Sequence, residues 1–337
     1  MNADRNKDRD QDASAAPTRA GGTDATMTGG AVSRLDDLTV LRVSGRDALA
    51  WLQGQLTADV DEVDASTSRL AAWCSPRGRV LALFRLFIDP GGGYLTVCER
   101  WVAAMLLGRL RMFVLRSDVR IDDVGDELAV VGAAGTGALP ERAAAWAQTA
   151  AIDDAARFGE MALARVPGRR PRFLVTGPPA CVASIASPAA AAVRTASPGE
   201  WRLADIRAGV PRITAKSSDA FLPQMLNLDR LGAVSFEKGC YVGQEIVARA
   251  QHLGRVKRRA YVGWTSETAE GDAIVDTTAD GAPKVGDVVA AEPHPDGGSA
   301  AFVVLDTASA HSLGLRACGP DGPPIRISSP RDPMPSD

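Results

Sequence analysis

The sequence predicts an α+β body followed by a small β-barrel, and three observations carry that prediction. Residues 47–115 are ordered helix, strand, strand, strand, helix, the arrangement of a sheet with helices layered on one face. Ser197-Pro198-Gly199-Glu200 is a capping box with proline at the first helical position, so a helix runs over 198–208 and stops at Gly209. After residue 255 helical spacing gives way to short β runs at 260–264, 272–275, 287–290, 300–304 and 313–317, punctuated by Gly and Pro, the pattern of a small barrel.

The first helix starts near Ser44 and Asp47 and ends by Gly54, with Leu49 and Leu52 on one face and Trp51 beside them. Strands follow over 69–75 and 79–89, joined as a hairpin by Pro76-Arg77-Gly78. Gly91-Gly92-Gly93 turns the chain into a strand over 94–98. Val102, Met105, Leu106, Leu110 and Val114 then recur at helical spacing through 100–115. Short strands are expected at 118–122, 127–131 and 172–176, and Ala-rich helices at 140–150 and 178–193. Residues 1–30 are polar, with no apolar h-region and with arginines matched by aspartates. They read as a disordered tail rather than a leader, and 329–337 as a second tail.

Composition excludes several classes. Hydrophobic content of 45% and charged content of 23% over 337 residues are those of a globular chain with ample core. A net charge of −3 exerts no global pull on nucleic acid. The five cysteines are widely spaced with no C-x-x-C, which argues against a disulfide framework and for a reducing, cytoplasmic setting. The three histidines lack metal-site spacing, so no permanent metal is expected. No stretch is long and apolar enough to span a membrane. With no coiled coil and no long apolar edge strand, a monomer is the default.

The densest chemistry lies at Phe236-Glu237-Lys238-Gly239-Cys240-Tyr241-Val242-Gly243-Gln244-Glu245. A helical pattern follows through Arg249, with Gly254 as its stop. A thiol at a helix start, beside the Lys238 ammonium, sits in a field that favours thiolate. Gly239 permits positive φ or close approach of a ligand. Gln244 and Glu245 put polar groups in the first turn. The competing reading is that Cys240 is a small packing residue, the commoner fate of a lone cysteine.

Four blocks together resemble the YgfZ family of folate-binding proteins, within the superfamily of the glycine-cleavage T-protein. They are K-G-C-Y-x-G-Q-E at 238–245 with F-L-P-Q-M-L-N-L-D at 221–229, Trp51-Leu52-Gln53-Gly54-Gln55-Leu56-Thr57-Ala58-Asp59-Val60, Ser75-Pro76-Arg77-Gly78-Arg79, and Trp201 with Arg207-Ala208-Gly209-Val210-Pro211. The resemblance covers roughly residues 33–330 in order. It implies a T-protein-like body of two related α/β halves with antiparallel sheets, over 31–125 and 126–254, then a barrel over 255–328. It implies tetrahydrofolate or a derivative as ligand, and a role in assembling or repairing iron–sulfur clusters in client enzymes, linked to tRNA modification. One cysteine cannot hold a cluster alone, so client or assembly proteins would share the ligation.

A folate site needs an aromatic wall, hydrogen-bonding groups for the pterin and positive charge for the glutamate tail. Trp201 is the candidate wall, against a core role for the same residue. Arg207, Arg249 and Arg77 are candidate charges, against surface ion pairing. Gln55 and Thr57 are candidate pocket polar groups, against ordinary turn bonding. Cys240 and Lys238 are the candidate catalytic pair, with Gly239, Tyr241, Gly243, Gln244 and Glu245 as the signature loop around them.

Two departures from relatives qualify the resemblance. Superfamily aminomethyltransferases carry an Asp-Asp pair shortly after the hairpin glycine, whereas Val80-Leu81-Ala82-Leu83-Phe84 here is apolar, leaving it open whether the chain is an enzyme. After Asp36-Asp37, where many relatives place an aromatic residue, this chain has Leu38. The alternatives are a tetrahydrofolate-dependent one-carbon transferase or demethylase, and a non-catalytic scaffold for clients or tRNA. Direct tRNA contact rests only on the basic run Arg255-Val256-Lys257-Arg258-Arg259, whose competing role is a solvated strand face or a domain junction.

Overall fold

The computed structural model describes residues 30–113, 117–185, 193–252 and 256–329. Its strands sort into three sheets. The first is antiparallel and built from β2 (Leu38–Ser44), β3 (Arg69–Cys74), β4 (Val80–Ile88), β5 (Tyr94–Glu99) and β6 (Arg120–Asp123), in the order β3-β4-β5-β2-β6. Helices α1 (Ala48–Gln55) and α2 (Arg100–Phe113) cover one face, burying Trp51, Leu52, Val102 and Leu106 against Leu41, Trp73 and Phe84. The stripe of α1 that faces the sheet is Ala48, Trp51 and Leu52. Leu49, expected on that face, is 36% exposed, because it sits one residue, about 100° of helix, off the stripe.

The second sheet contains β1 (Gly30–Arg34), β7 (Ala129–Ala134), β8 (Ala155–Phe158), β9 (Met161–Val166), β10 (Arg172–Gly177) and β11 (Val193–Thr195), in the order β11-β1-β7-β10-β9-β8. All its pairings are antiparallel except β1 with β11. Helices α3 (Glu141–Ala147) and α4 (Pro179–Ile185) back it. The expected helix over 178–193 is thus shorter, and Val193 already belongs to a strand; 186–192 lie outside the described residues. β1 comes from the start of the described chain yet pairs with β7, so the two sheets are interleaved rather than sequential. Their inner faces meet through Val40, Leu95 and Val97 on one side and Ala162, Ala164, Val166 and Leu174 on the other.

Helix α5 (Pro198–Arg207) carries the predicted capping box: Ser197 Oγ accepts from Glu200 N, and Glu200 Oε2 accepts from Ser197 N at 2.8 Å. Gly209 beyond its C-cap has φ +69°, the left-handed conformation a glycine stop supplies. The third sheet is β12 (Arg258–Thr265), β13 (Ala273–Asp276), β14 (Lys284–Pro293), β15 (Ser299–Asp306), β16 (Leu315–Ala317) and β17 (Arg326–Ser328), ordered β16-β13-β14-β15-β12-β17 and curled as a half-barrel around Ile274, Val288, Val303 and Leu305. One apolar cluster joins the first and third sheets through α5 and α6: Leu70 and Val80 of the first sheet, Leu203 and Ile206 of α5, Val247 of α6 (Gln244–His252), and Val262, Phe302 and Val304 of the third sheet.

The block 221–229 makes that junction polar as well as apolar. Gln224, fully buried, donates to Val247 O at 2.7 Å. Asn227, in the left-handed region, donates to Ala260 O at 2.9 Å. Asp229 takes a two-point grip from Arg259, at 2.7 and 2.9 Å. Arg258 pairs with Asp287 at 2.6 Å. Arg259 is therefore spent on the junction, and Arg258 on ion pairs inside the third sheet.

Candidate functional site

The candidates expected to form one site are divided by the structure among four places. The first is the signature face. The loop 238–243 packs onto the end of α1 and onto the hairpin turn. Val242 N donates to Gly54 O at 3.2 Å, and Ser235 N donates to Thr57 O at 2.8 Å. Gly243 has φ +84°, and a Cβ there would lie 2.5 Å from Ser75 O, so only glycine lets the loop close on the hairpin. Gln244 Oε1 accepts from Tyr241 N at 3.3 Å, capping the entry to α6.

Lys238 is buried enough that its ammonium is pulled down to about 8, an effect the nearby Asp59 and Asp61 partly oppose. Its Nζ donates to Leu56 O at 2.9 Å and Ala58 O at 2.7 Å and lies 5.6 Å from the Tyr241 ring centroid. Two of its three N–H donors therefore clamp the loop to the turn after α1. Tyr241 is buried, which raises its phenol. Cys240 is exposed. It stands in the loop ahead of α6, whose first residue is Gln244, rather than in the helix's first turn. Gly239 is exposed with nothing within 4 Å of an added Cβ, and it is not in the left-handed region. Of its two expected roles, room for an approaching group is the one that remains. Gly254, the expected end of α6, lies outside the described residues.

The other signature-face candidates are engaged locally. Thr57 is 0% exposed; its hydroxyl donates to Ala233 O at 2.6 Å and accepts from Ala72 N at 2.8 Å. It is a structural pin, not an open pocket group. Arg77 is exposed and pairs with Asp219, whose other oxygen accepts from Ser75 Oγ at 2.7 Å. Arg249 is exposed and pairs with Glu245 one turn back at 3.3 Å. Asp219 was missed in the sequence. It sits at φ +59° just before the 221–229 block, where no local pattern marks it.

The second place is a cavity of about 140 Å³ between the inner face of the first sheet, β9 and β10 of the second, α5 and residues 210–213. Trp201 is only 9% exposed: Gly132 lies beneath its ring and Arg172 stacks 3.9 Å from its centroid, and what surface remains faces this cavity. Trp201 is thus packed in the core and also lines the cavity. The charged groups around the cavity were not foreseen. Arg212 Nη2 donates to Glu99 Oε2 and to Asp37, each at 2.7 Å, while its Nε lies 2.6 Å from Glu99 Oε1 as an ion contact without hydrogen-bond geometry. Arg202 bridges Asp37, at 3.4 Å, to Glu292 of the third sheet. Arg172 holds Asp205 at 2.6 Å, and Arg85 holds Asp153.

Burial raises Glu99 to about 7 although Arg212 opposes the shift. Burial lowers the Arg212 guanidinium, yet Glu99 and Asp37 together lift it above its ordinary value. The two directions agree once Arg212 is seen as shared: it feels two carboxylates, while each carboxylate gets part of one cation. Burial likewise raises Asp205, against Arg172. The sequence did hold a signal for Glu99. Leu95 and Val97 face the inter-sheet core, and the two-residue period of β5 puts Glu99 on that same face.

The third place is the far side of α5. Arg207 hydrogen-bonds His294, beside the third sheet, and is not part of the cavity. It follows Asp205 by two residues, about 200° around the helix, which turns it away from the cavity that Trp201 and Asp205 face. Gln55 marks the fourth place: it lines a cavity of about 20 Å³ under α1, with Trp51, Trp73 and Phe84.

The cavity combines an apolar wall in Trp201, Val166 and Leu174 with carboxylates in Asp37, Glu99 and Asp205 and guanidiniums in Arg85, Arg202 and Arg212. Among the described residues no group of three His, Cys, Asp or Glu converges as a metal site, and no helix is long and apolar enough to cross a membrane.

Comparison with known proteins agrees with the fold. No protein-family model matches the chain. It is 35% identical over 240 residues to the tRNA-modifying protein YgfZ of Edwardsiella ictaluri, covering 70% of this chain and 71% of that one. It is 32% identical over 228 residues to the protein of the same name from Colwellia psychrerythraea, covering 67% and 69%. Among solved structures, the glycine cleavage system aminomethyltransferase T of Bartonella henselae superposes with a TM-score of 0.72 over 89% of this chain and 85% of that one, at 14% identity, a likeness of fold.

Proposed function

The chain belongs to the YgfZ family, and from that membership we propose that it is a folate-binding protein that supports tRNA modification, with tetrahydrofolate or a derivative seated in the central cavity. The observation that carries the reading is the cavity itself, which pairs a tryptophan wall with both carboxylates and guanidiniums. Asp37, Glu99 and Asp205 would accept from the pterin, with Trp201 as the wall beside it. The folate supplies one-carbon chemistry when bound; the protein's residues bind and orient it and keep water out. The first and second sheets and α5 enclose this site, and Glu292 of the third sheet reaches it through Arg202.

The signature face serves a second step in this proposal. Lys238 holds the loop to Leu56 and Ala58 and leaves Cys240 presented to solvent, where a client protein can reach it. Iron–sulfur enzymes, including those that modify tRNA, are the proposed clients, in a cytoplasmic setting. The test is calorimetric titration with tetrahydrofolate under reducing conditions, beside Val210→Trp, which crowds the cavity from residues 210–213. Saturable binding that is lost in a variant of unchanged melting temperature supports the proposal. A folded wild-type protein that binds no folate overturns it.

A further inference from the structure

The charges around the cavity do not balance. Asp37, Glu99 and Glu292 are joined into one network by Arg202 and Arg212, so three carboxylates share two guanidiniums. The neighbouring cations are committed elsewhere, Arg172 to Asp205 and Arg85 to Asp153. One carboxylate of the network is therefore short of a positive partner, and the geometry selects which. Asp37 is reached by both arginines, and Glu292 takes two bonds from Arg202. Glu99 depends on the shared Arg212, at the end of β5 on the cavity wall, with its side chain 13% exposed.

We propose that Glu99 is the residue that reads the ligand's N–H edge, carrying a proton while the cavity holds no donor and giving it up when a ligand donates to it. The proposal rests on the folate reading and sharpens it. The partner chemistry is a planar edge of adjacent N–H donors, such as the 2-amino-4-oxo edge of a pterin. Arg212 donates to Glu99 Oε2 alone, its Nε lying close to Oε1 without hydrogen-bond geometry, so Oε1 keeps its acceptor positions and Oε2 keeps one for such an edge. No bond is made or broken beyond the proton, which passes from the Glu99 carboxyl to buffer as the ligand's donors replace it.

The groups facing Glu99 are Arg212 and, through it, Asp37 on the β1–β2 connection, Arg202 and Asp205 on α5, Arg85 on β4 and Glu292 on β14. Of these, Glu99 is the one that burial places at about 7, against which the titration of binding can be read. Binding is then linked to proton release. Affinity weakens about tenfold for each pH unit below that value and is flat above it.

The experiment is titration of the full chain with tetrahydrofolate at about pH 6 and pH 8, in buffers of different ionisation enthalpy, for wild type and Glu99→Gln. Wild type is expected to release close to one proton at the lower pH and almost none at the higher. The variant is expected to show neither release nor pH dependence, because its amide cannot ionise. A second readout needs no variant: the Glu99 side-chain carboxyl carbon, followed by NMR, titrates near neutrality without ligand and stays ionised with it. Wild-type binding without proton release, or release retained in the variant, overturns the role of Glu99 and leaves the folate reading standing. Absence of binding at either pH overturns both.

Discussion

Replacing Thr57 by valine tests whether the turn after α1 is a pin or a ligand contact. The two side chains have nearly the same shape, so the change removes a hydroxyl and little else. That hydroxyl is fully buried and makes two bonds, to Ala233 O at 2.6 Å and from Ala72 N at 2.8 Å. Valine satisfies neither, and water cannot reach the two backbone groups left behind. Each unmet buried group costs roughly 1–3 kcal/mol, so the variant should lose about 2–6 kcal/mol. The flanking backbone bonds, Thr57 N to Ala72 O and Ser235 N to Thr57 O, survive and keep the loss within that range. Urea unfolding followed by near-ultraviolet circular dichroism reads the loss. With a slope of about 3 kcal/mol per molar, the midpoint should fall by roughly 1 M. Thr57→Ser keeps the hydroxyl and should recover most of it. A valine variant as stable as wild type that nonetheless loses folate affinity would refute the reasoning and return Thr57 to the ligand.

Three further outcomes follow from the same geometry. Gly132→Ala should destabilise the second sheet and change the near-ultraviolet signal of Trp201, since the new Cβ would lie 2.2 Å from the indole; an unchanged spectrum and melt would contradict that packing. Ser197→Ala should cost about 1 kcal/mol by uncapping α5, measured by thermal melting, while Ser197→Asp should not. In the native protein a thiol reagent should modify Cys240 while sparing Cys74 and Cys98, whose burial pushes Cys74 up to about 12 and Cys98 higher still; mass mapping that finds Cys74 labelled before unfolding would count against the buried hairpin.

What the sequence made legible was local. The capping box at Ser197, the hairpin turned by Pro76-Arg77-Gly78 and the signature loop each depend on residues a few positions apart, and each stands where spacing placed it. β8 and β9 were missed because Ala155, Ala156, Ala162 and Ala164 are not strand formers, and only pairing with β10 makes them strands. β1 was missed because its partners lie far along the chain. The same distance hid the charge network. Asp37, Glu99, Arg212 and Glu292 come from four separate segments, and none carries a motif. Arg207 and Trp201 were read as one site because they are neighbours in sequence, but a helix sends residues six apart to different faces.

The position of β1 has a consequence for how the molecule is made. Its neighbours in the sheet, β7 and β11, are synthesised long after it, whereas β3, β4 and β5 find one another through adjacent hairpins. The first sheet can therefore set while the ribosome is still extending the chain, and β1 must wait, exposed, for partners not yet made. Its five residues are the stitch that fastens the beginning of the fold to its middle, and that stitch is drawn tight only after the strand ending at Thr195 has emerged. A pause in translation before that point would leave an open edge on the second sheet, the state in which this protein is most exposed to mispairing.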